Sequence, residues 1–462
     1  MTDMNKTITI RRLNPIFCEV SKEDHKLIRP PLSYLHVWYQ QQDHGRVRKE
    51  TWVASSKYLK SREVYHFHTG LLQRVRNFCV EKSIGIKLEG PPILRIPPIR
   101  EIKVPGYDLR PDQIDLVNLA CRRQRGYIIA PTRTGKTVVM MGIISKFPDE
   151  TTLVLCHSKS IVSQTKERFE EVFTEKIGFI GQQRFELSRI TVGTIQSAIK
   201  HLPPDKLEKF YDIVIVDETH HVSSFDGMYA QFFEGILSPV RLGFTATEPT
   251  RAVAKLALQA FTGPKIGEVT MDEAIELGLI VKPKIRVLKI PKNIRIHELR
   301  SWKRAYEEGI VNNRSRHRMV WEEVRKYLED GKTVLILVRL LEHGRLMQEI
   351  GKAMGIESEY IHGAVAGDVR DAVQKAFNVK YVKCVIATAA WKEGIDIPTL
   401  DVVFNAAGGK DELPTIQSTA RCLTKTDEKH QAIIHEVFDE SNRYLTDHFA
   451  HRMYTYAKKG WL

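Results

Sequence analysis

The feature that most constrains this 462-residue chain is a rhythm that sets in near residue 106. Short apolar, mostly β-branched runs alternate with amphipathic stretches: YIIA at 127, TLVLCH at 152, ITVGT at 190, DIVIVDE at 212 and LGFTAT at 242. Runs apolar on both faces are what buried parallel strands require. Strand–helix alternation implies right-handed crossovers in a doubly wound sheet. The rhythm restarts after residue 284 with KIRVLKI, TVLILV at 333, KCVIATAA at 383, LDVVFNAA at 400 and HQAIIHEV at 430. The expected fold class is therefore α/β, with two doubly wound domains in tandem over residues 101–283 and 284–462. The stretch 292–330 is charged and helical in character.

Residues 1–100 have a different texture and read as a small, basic α+β domain. TITIRRL and ETWVASS have strand character, and GLLQRVRNFCVEKSIG places Leu71, Leu72, Val75, Phe78 and Cys79 at helical spacing. Five prolines between 91 and 105 predict an extended linker, because proline fixes φ and supplies no ladder donor. The whole chain carries 70 basic and 56 acidic residues, a net of +14. Its first 100 residues hold 18 basic against 9 acidic side chains, so less than a quarter of the length carries over half of the excess. That asymmetry points either to a polyanion-binding module or to a solvated basic surface.

The remaining composition excludes several classes. No run of about 18 apolar residues and no signal-peptide core appear, so a cytoplasmic protein without a membrane span is expected. Six scattered cysteines contain no C-x-x-C pair, which argues against zinc and against a disulfide framework.

The chemistry begins at APTRTGKT, residues 130–137. YIIA feeds this loop, and an apolar helix comes after it. That arrangement aims the N–H groups of the loop, with Thr132, Thr134 and Gly135, at the phosphates of a nucleotide. Lys136 supplies a point charge and Thr137 a hydroxyl for Mg²⁺. Ala130 replaces the usual first glycine, which is tolerable if its φ is negative. Arg133 is expected to leave the loop, toward solvent or the facing domain. The run Ile213–Val216 ends in Asp217 and Glu218. Asp217 is placed to hold Mg²⁺ through water, and Glu218 to polarise the attacking water.

In order along residues 107–462, these segments resemble the motifs of superfamily 2 helicases and translocases. LRPDQ is similar to the adenine-reading element, with Arg110 and Gln113 its contacts. APTRTGKT and DETHH resemble motifs I and II. LVLCHSKSIVSQ and TVGTIQSA resemble the strand-contacting motifs, GFTATE motif III, TVLILVRLLEHGRLM motif IV, ATAAWKEGIDIP motif V and QSTARCLTK motif VI. The resemblance implies two RecA-like domains with ATP and Mg²⁺ in the cleft between them. It assigns the γ-phosphate to Gln417 and Arg421 beside catalytic Lys136 and Glu218, and further ATP contacts to Gly394 and Asp396. Thr245 and Thr247 would link ATP state to strand grip. His220 would either couple hydrolysis to DNA binding or serve as a capping or core histidine.

DETHH, the basic N-terminal module and the ending RMYTYAKKGW look most like phage UvsW-type branch-migration helicases. The implied activity is ATP-driven translocation on forked or junction DNA, in recombination and repair, by an enzyme favoured to be monomeric. Thr194, Gln196, Thr388 and Trp391 are candidate DNA contacts, with packing the alternative for Trp391. Motif VI departs from the family pattern, with Ala420 for its glycine and Thr424 for its last arginine. An RNA helicase and a nucleotide-gated clamp with weak hydrolysis therefore stand as alternatives. Glu248 replaces a frequent proline after T-A-T, and nothing in the sequence accounts for it.

Overall fold

The computed structural model describes residues 6–42, 45–93, 95–181, 184–201, 210–388, 397–410 and 431–462. The chain forms two compact units, Met1–Thr270 and Met271–Leu462.

The N-terminal residues of the first unit build strands β1 (Thr7–Arg12), β2 (Phe17–Ser21), β3 (Ser33–Gln42), β4 (Gly45–Ala54), β5 (Lys57–Leu59), β6 (Val64–His68) and β7 (Gly85–Glu89). Five of them form a sheet in the order β5-β6-β2-β1-β7, and β3 pairs with β4 as a separate antiparallel ribbon. Alternation places Ile8, Ile10, Cys18, Val20 and Phe67 on the buried face. The helix Leu72–Glu81 covers them with Leu72, Val75 and Cys79.

This module shares a helix with the neighbouring α/β sheet. Its core includes Leu256 and Ala260 of the helix Ala252–Phe261, whose Ala257, Leu258 and Phe261 belong to the core of that sheet. A helix apolar on nearly every face is buried from two sides. Gly70 lies against that helix so closely that an added Cβ would sit 2.3 Å from the carbonyl oxygens of Gln259 and Ala260. The segment VYHFHTGLLQRVR, residues 64–76, is thus partly interior. Phe67 is buried, and the His68 ring meets Glu234 at 3.0 Å.

The proline-rich stretch is extended but pinned. The side-chain amide of Gln124 accepts from the N–H of Ile96 and donates to its carbonyl. The Lys146 ammonium donates to the carbonyl of Arg100, and Ile102 and Leu109 approach Gly142 of the helix Lys136–Ser145. That helix is buried at Val139, Met140, Met141, Ile143 and Ile144, and so needs such a cover.

The first α/β sheet contains β8 (Arg125–Ile129), β9 (Thr152–Cys156), β10 (Gly178–Gly181), β11 (Arg184–Glu186), β12 (Ile190–Thr194), β13 (Ile213–Val216), β14 (Val240–Thr245) and β15 (Lys265–Glu268). Their order is β11-β10-β12-β9-β13-β14-β8-β15, all parallel except β11. The second unit has β16 (Pro283–Ile290), β17 (Val334–Leu337), β18 (Glu359–Ile361), β19 (Cys384–Ala387), β20 (Val402–Asn405) and β21 (Ala432–Asp439). They run β16-β21-β20-β17-β19-β18, all parallel. Two α/β sheets in tandem are what the alternation predicted. β10, β11, β15 and β18, all four residues or fewer, went unread.

The compact units divide near residue 270, earlier than the expected 283. Pairing to β8 ends where the Val269 N–H donates to the carbonyl of Ile129, and the helix Met271–Glu276 belongs to the second unit. In that unit the stretch NAAGGK, residues 405–410, is held at three carbonyls. Arg316 donates to Ala406 at 3.0 Å, Tyr306 to Ala407 at 2.7 Å and Arg452 to Gly409 at 2.7 Å. Both arginines are buried and paired, Arg316 with Asp439 and Arg452 with Glu436. Among the described residues no helix is long and apolar enough to cross a membrane.

Gly70→Ala should therefore lower unfolding stability by about 1–3 kcal/mol, since backbone rather than a yielding side chain meets the new methyl. Chemical denaturation measures it, and wild-type stability would refute the close seat of the N-terminal module.

Candidate active site

Three neighbouring strands deliver the site. β13, β14 and β8 are adjacent and parallel, so the loops leaving their C-terminal ends emerge side by side. The backbone joins two of them directly: the N–H of Ala130 donates to the carbonyl of Thr245 at 2.8 Å.

The phosphate loop is braced from behind. Gln113 is buried, and its Oε1 accepts from the Arg110 N–H at 3.1 Å while its Nε2 donates to the carbonyl of Thr134 at 3.3 Å. Arg110 donates to the same carbonyl at 2.8 Å and pairs with Asp112. The two side chains expected to read adenine thus hold the loop in this structure. Gly135 has φ +84°, and a Cβ there would lie 2.3 Å from Nε2 of Gln113, so glycine is required twice over. The Thr134 hydroxyl is spent on the carbonyl of Pro131. Thr132, Lys136 and Thr137 are half-buried.

Ala130 has no positive φ; beside Gly135, the left-handed residue of the loop is Arg133, at φ +76°. Its side chain is half-buried within electrostatic reach of Arg168, on the helix Lys159–Val172. Burial, reinforced by Arg168, lowers its guanidinium to about 10.

Lys136 Nζ donates to the carbonyl of Ala130 at 3.3 Å and lies 4.0 Å from Oε1 of Glu218. Asp217 Oδ1 accepts the backbone N–H of Glu218 at 3.0 Å. Glu218 itself is held at φ +51°, a strained setting for a side chain of its size. Burial, with Glu218 beside it, pushes the Asp217 carboxyl above its ordinary range, against the pull of Lys136. Burial also opposes the charge of Glu218, but Lys136 and His220 outweigh it and hold that carboxyl low. Oε2 of Glu218 is buried and receives no well-formed hydrogen bond, although Nδ1 of His220 is 3.3 Å away.

His220 connects this acid to the next loop. Its Nδ1 lies 3.1 Å from Oγ1 of Thr245, and that hydroxyl donates to the carbonyl of Thr247 at 2.9 Å. Because the hydroxyl proton is already committed, Nδ1 is the donor between the two. His220 is buried, with Nδ1 between Oε2 of Glu218 and Oγ1 of Thr245. Two residues missed in the sequence reinforce the region. His157 and His221 stack at 3.5 Å and 6°, and burial drives His221 down to about 3, so it stays neutral.

Glu248 also finds a role. Oε1 accepts from the Tyr127 hydroxyl at 2.5 Å and Oε2 from Lys255 Nζ at 2.7 Å, tying the loop after β14 to β8. Thr194 accepts from the Ser197 N–H at 3.2 Å and donates to its hydroxyl, so it caps the helix Ile195–His201. Gln196 is exposed. Thr388 is buried, and its N–H donates to the carbonyl of Ile361. Trp391, Gly394, Asp396, Gln417, Arg421 and Thr424 lie outside the described residues.

Asp217→Asn should unfold at a higher temperature than the wild type at pH 7.5, by on the order of a few degrees. A carboxyl raised by folding stabilises when protonated and loses that contribution as pH rises through its raised value. The gap should close below about pH 4, where aspartate is protonated in the unfolded chain too. Thermal melts across that range test it.

Comparison with known proteins agrees with this geometry. Residues 106–250 match the family described as type III restriction enzyme, res subunit, and residues 319–425 the helicase conserved C-terminal domain. The DNA 3'-5' translocase XPB2 of Sulfurisphaera tokodaii is 24% identical over 425 residues, 83% of this chain and 93% of that protein. The DUF1998 helicase MrfA bound to DNA shares the fold, with a TM-score of 0.57 and 15% identity over 78% of this chain and 52% of that one. T4 UvsW aligns over 98% of this chain and 97% of its own, with a TM-score of 0.44 and 15% identity. The two matched segments together span more than half of the chain, and the phosphate loop, acid pair and threonine loop stand at the ends of adjacent strands: the chain belongs to the superfamily 2 helicases and is an ATP-hydrolysing helicase.

Proposed function

We propose that this helicase uses ATP to translocate on DNA in the 3'-5' sense and to remodel forked or junction substrates by unwinding or branch migration. The observation that carries the reading is the succession of close contacts Lys136–Glu218–His220–Thr245–Thr247, in which Oε2 of Glu218 lies 3.3 Å from Nδ1 of His220. It joins the group that meets a γ-phosphate to a loop with no other role in phosphate binding. A plain NTPase needs no such bridge. The choice of DNA, and of direction, is supported by the name of the Sulfurisphaera relative, and the basic charge of residues 1–100 suits a duplex backbone.

Lys136 offers its charge to the β- and γ-phosphates, and the backbone of residues 132–135 cradles them. Glu218 orients and polarises the attacking water through Oε2, the buried acceptor left without a well-formed partner. Held ionised by Lys136, it acts throughout as a carboxylate. Asp217 and Thr137 would hold Mg²⁺. The fit is electrostatic, since Asp217 is a buried carboxylate beside a second acid, which a divalent cation relieves. When bound, Mg²⁺ neutralises phosphate charge. Gln417 and Arg421 are assigned the γ-phosphate, and Gln196 and residues 1–100 the DNA.

ATP turnover should rise with forked or four-way-junction DNA and respond weakly to RNA. Glu218→Gln should cut turnover by about 10²–10⁴-fold while ATP still binds. Turnover unaffected by DNA, or a fully active Glu218→Gln, would refute the mechanism. Slow turnover with tight ATP-dependent DNA binding would favour the nucleotide-gated clamp, and preferential stimulation by RNA the RNA helicase.

A further inference from the structure

The helix Ala252–Phe261 has two roles that no motif explains. It comes directly after the threonine loop, and it forms part of the core of the N-terminal module. A line of polar contacts runs along it. Arg74, on the N-terminal helix Leu72–Glu81, donates through Nη1 to Oε1 of Gln259 at 3.3 Å. Gln259 and Arg74 both lie within interaction range of the Tyr127 oxygen, and the Tyr127 hydroxyl donates to Oε1 of Glu248 at 2.5 Å. Lys255 closes the line on Oε2 of Glu248 at 2.7 Å.

Tyr127 and Lys255 both donate to Glu248, and Arg74 reaches the same helix at Gln259. Hydrogen bonds that meet on one carboxylate strengthen or weaken together. Tyr127 is buried on β8, three residues ahead of Ala130, and Glu248 sits immediately after Thr247. The contacts thus join three things: the module that carries most of the excess charge, the strand that feeds the phosphate loop, and the loop that His220 reads. A packing role for Glu248 would need neither the two cations nor the buried phenol.

We propose that Glu248 is a positioning residue, and that the clasp Arg74–Gln259–Tyr127–Glu248–Lys255 makes ATP turnover responsive to DNA held by the N-terminal module. This rests on the reading of the protein as a DNA-stimulated helicase. With DNA on the module, the helix Ala252–Phe261 and the clasp fix the Thr245–Thr247 loop, and through His220 the orientation of Glu218. Without the clasp, the catalytic groups stay intact but no longer register the module.

The test compares wild type, Glu248→Gln, Tyr127→Phe, the double variant and Lys255→Arg, with and without forked DNA. Glu248→Gln weakens both bonds without changing shape, and Lys255→Arg retains the ion pair. Measured are basal turnover, DNA-stimulated kcat and KM, DNA affinity by anisotropy, and Tm. In Glu248→Gln and Tyr127→Phe the ratio of stimulated to basal kcat should fall by about fivefold or more. Basal turnover and DNA affinity should stay within about twofold, the double variant should be no worse than the poorer single one, and Lys255→Arg should keep the wild-type ratio. A purely structural role would lower basal and stimulated rates together with Tm, and that result overturns the proposal. So does full stimulation in both single variants beside a stimulated wild type. A wild type indifferent to DNA overturns the helicase reading itself, and the clasp with it.

Discussion

The parallel pairing of β8, β14 and β13 is the constraint on which the site depends. Side by side in one sheet, these strands must release their loops at one edge, and the Ala130 N–H on the carbonyl of Thr245 fixes two of those loops to each other. Side-chain chemistry then fills in what the backbone has already aligned. Lys136 reaches Glu218 and His220 meets Thr245 across gaps set by strand spacing, while Glu218 and His220 meet within one loop. One sheet topology thereby makes neighbours of residues more than a hundred positions apart in the chain.

The site is costly to fold. Two half-buried acids stand side by side, one at a left-handed φ, with the stacked rings of His157 and His221 close by. Such groups persist only where the surrounding structure over-determines them. Here the support comes from fully used polar side chains. Gln113 spends both ends of its amide, Thr134 and Thr245 commit their hydroxyl protons, and Glu248 accepts from two donors. The second unit obeys the same rule. Two buried arginines, each neutralised by an acid, hold the loop after β20 by its carbonyls. Glycines at 408 and 409 give that loop its positive φ angles, and the donors keep it from using the freedom.

The N-terminal residues obey a different logic. Their sheet and helix could be a separate domain by length, yet their core borrows Leu256 and Ala260 from the first α/β unit. A helix with two apolar faces is the physical reason: it cannot be satisfied by one layer alone. The sequence AVAKLALQAF carries that signal, since only Lys255 and Gln259 interrupt it, and those two are the residues that enter the clasp.

Sequence by itself determined the two parallel sheets, because apolar runs with no polar alternation have no other stable place. It also located Lys136, Asp217, Glu218 and the threonine loop, since short motifs on strand ends keep their local geometry wherever the strand goes. Tertiary structure decided everything that depends on who stands next to whom. It turned Arg110 and Gln113 into loop braces and Thr194 into a cap. It gave Glu248 its partners 121 positions upstream and seven downstream, and it pinned a glycine-rich loop that composition alone would leave loose. Hydrophobic periodicity is a local property and can be read along a chain. A hydrogen bond between residues of different strands depends on sheet order, which no single stretch contains.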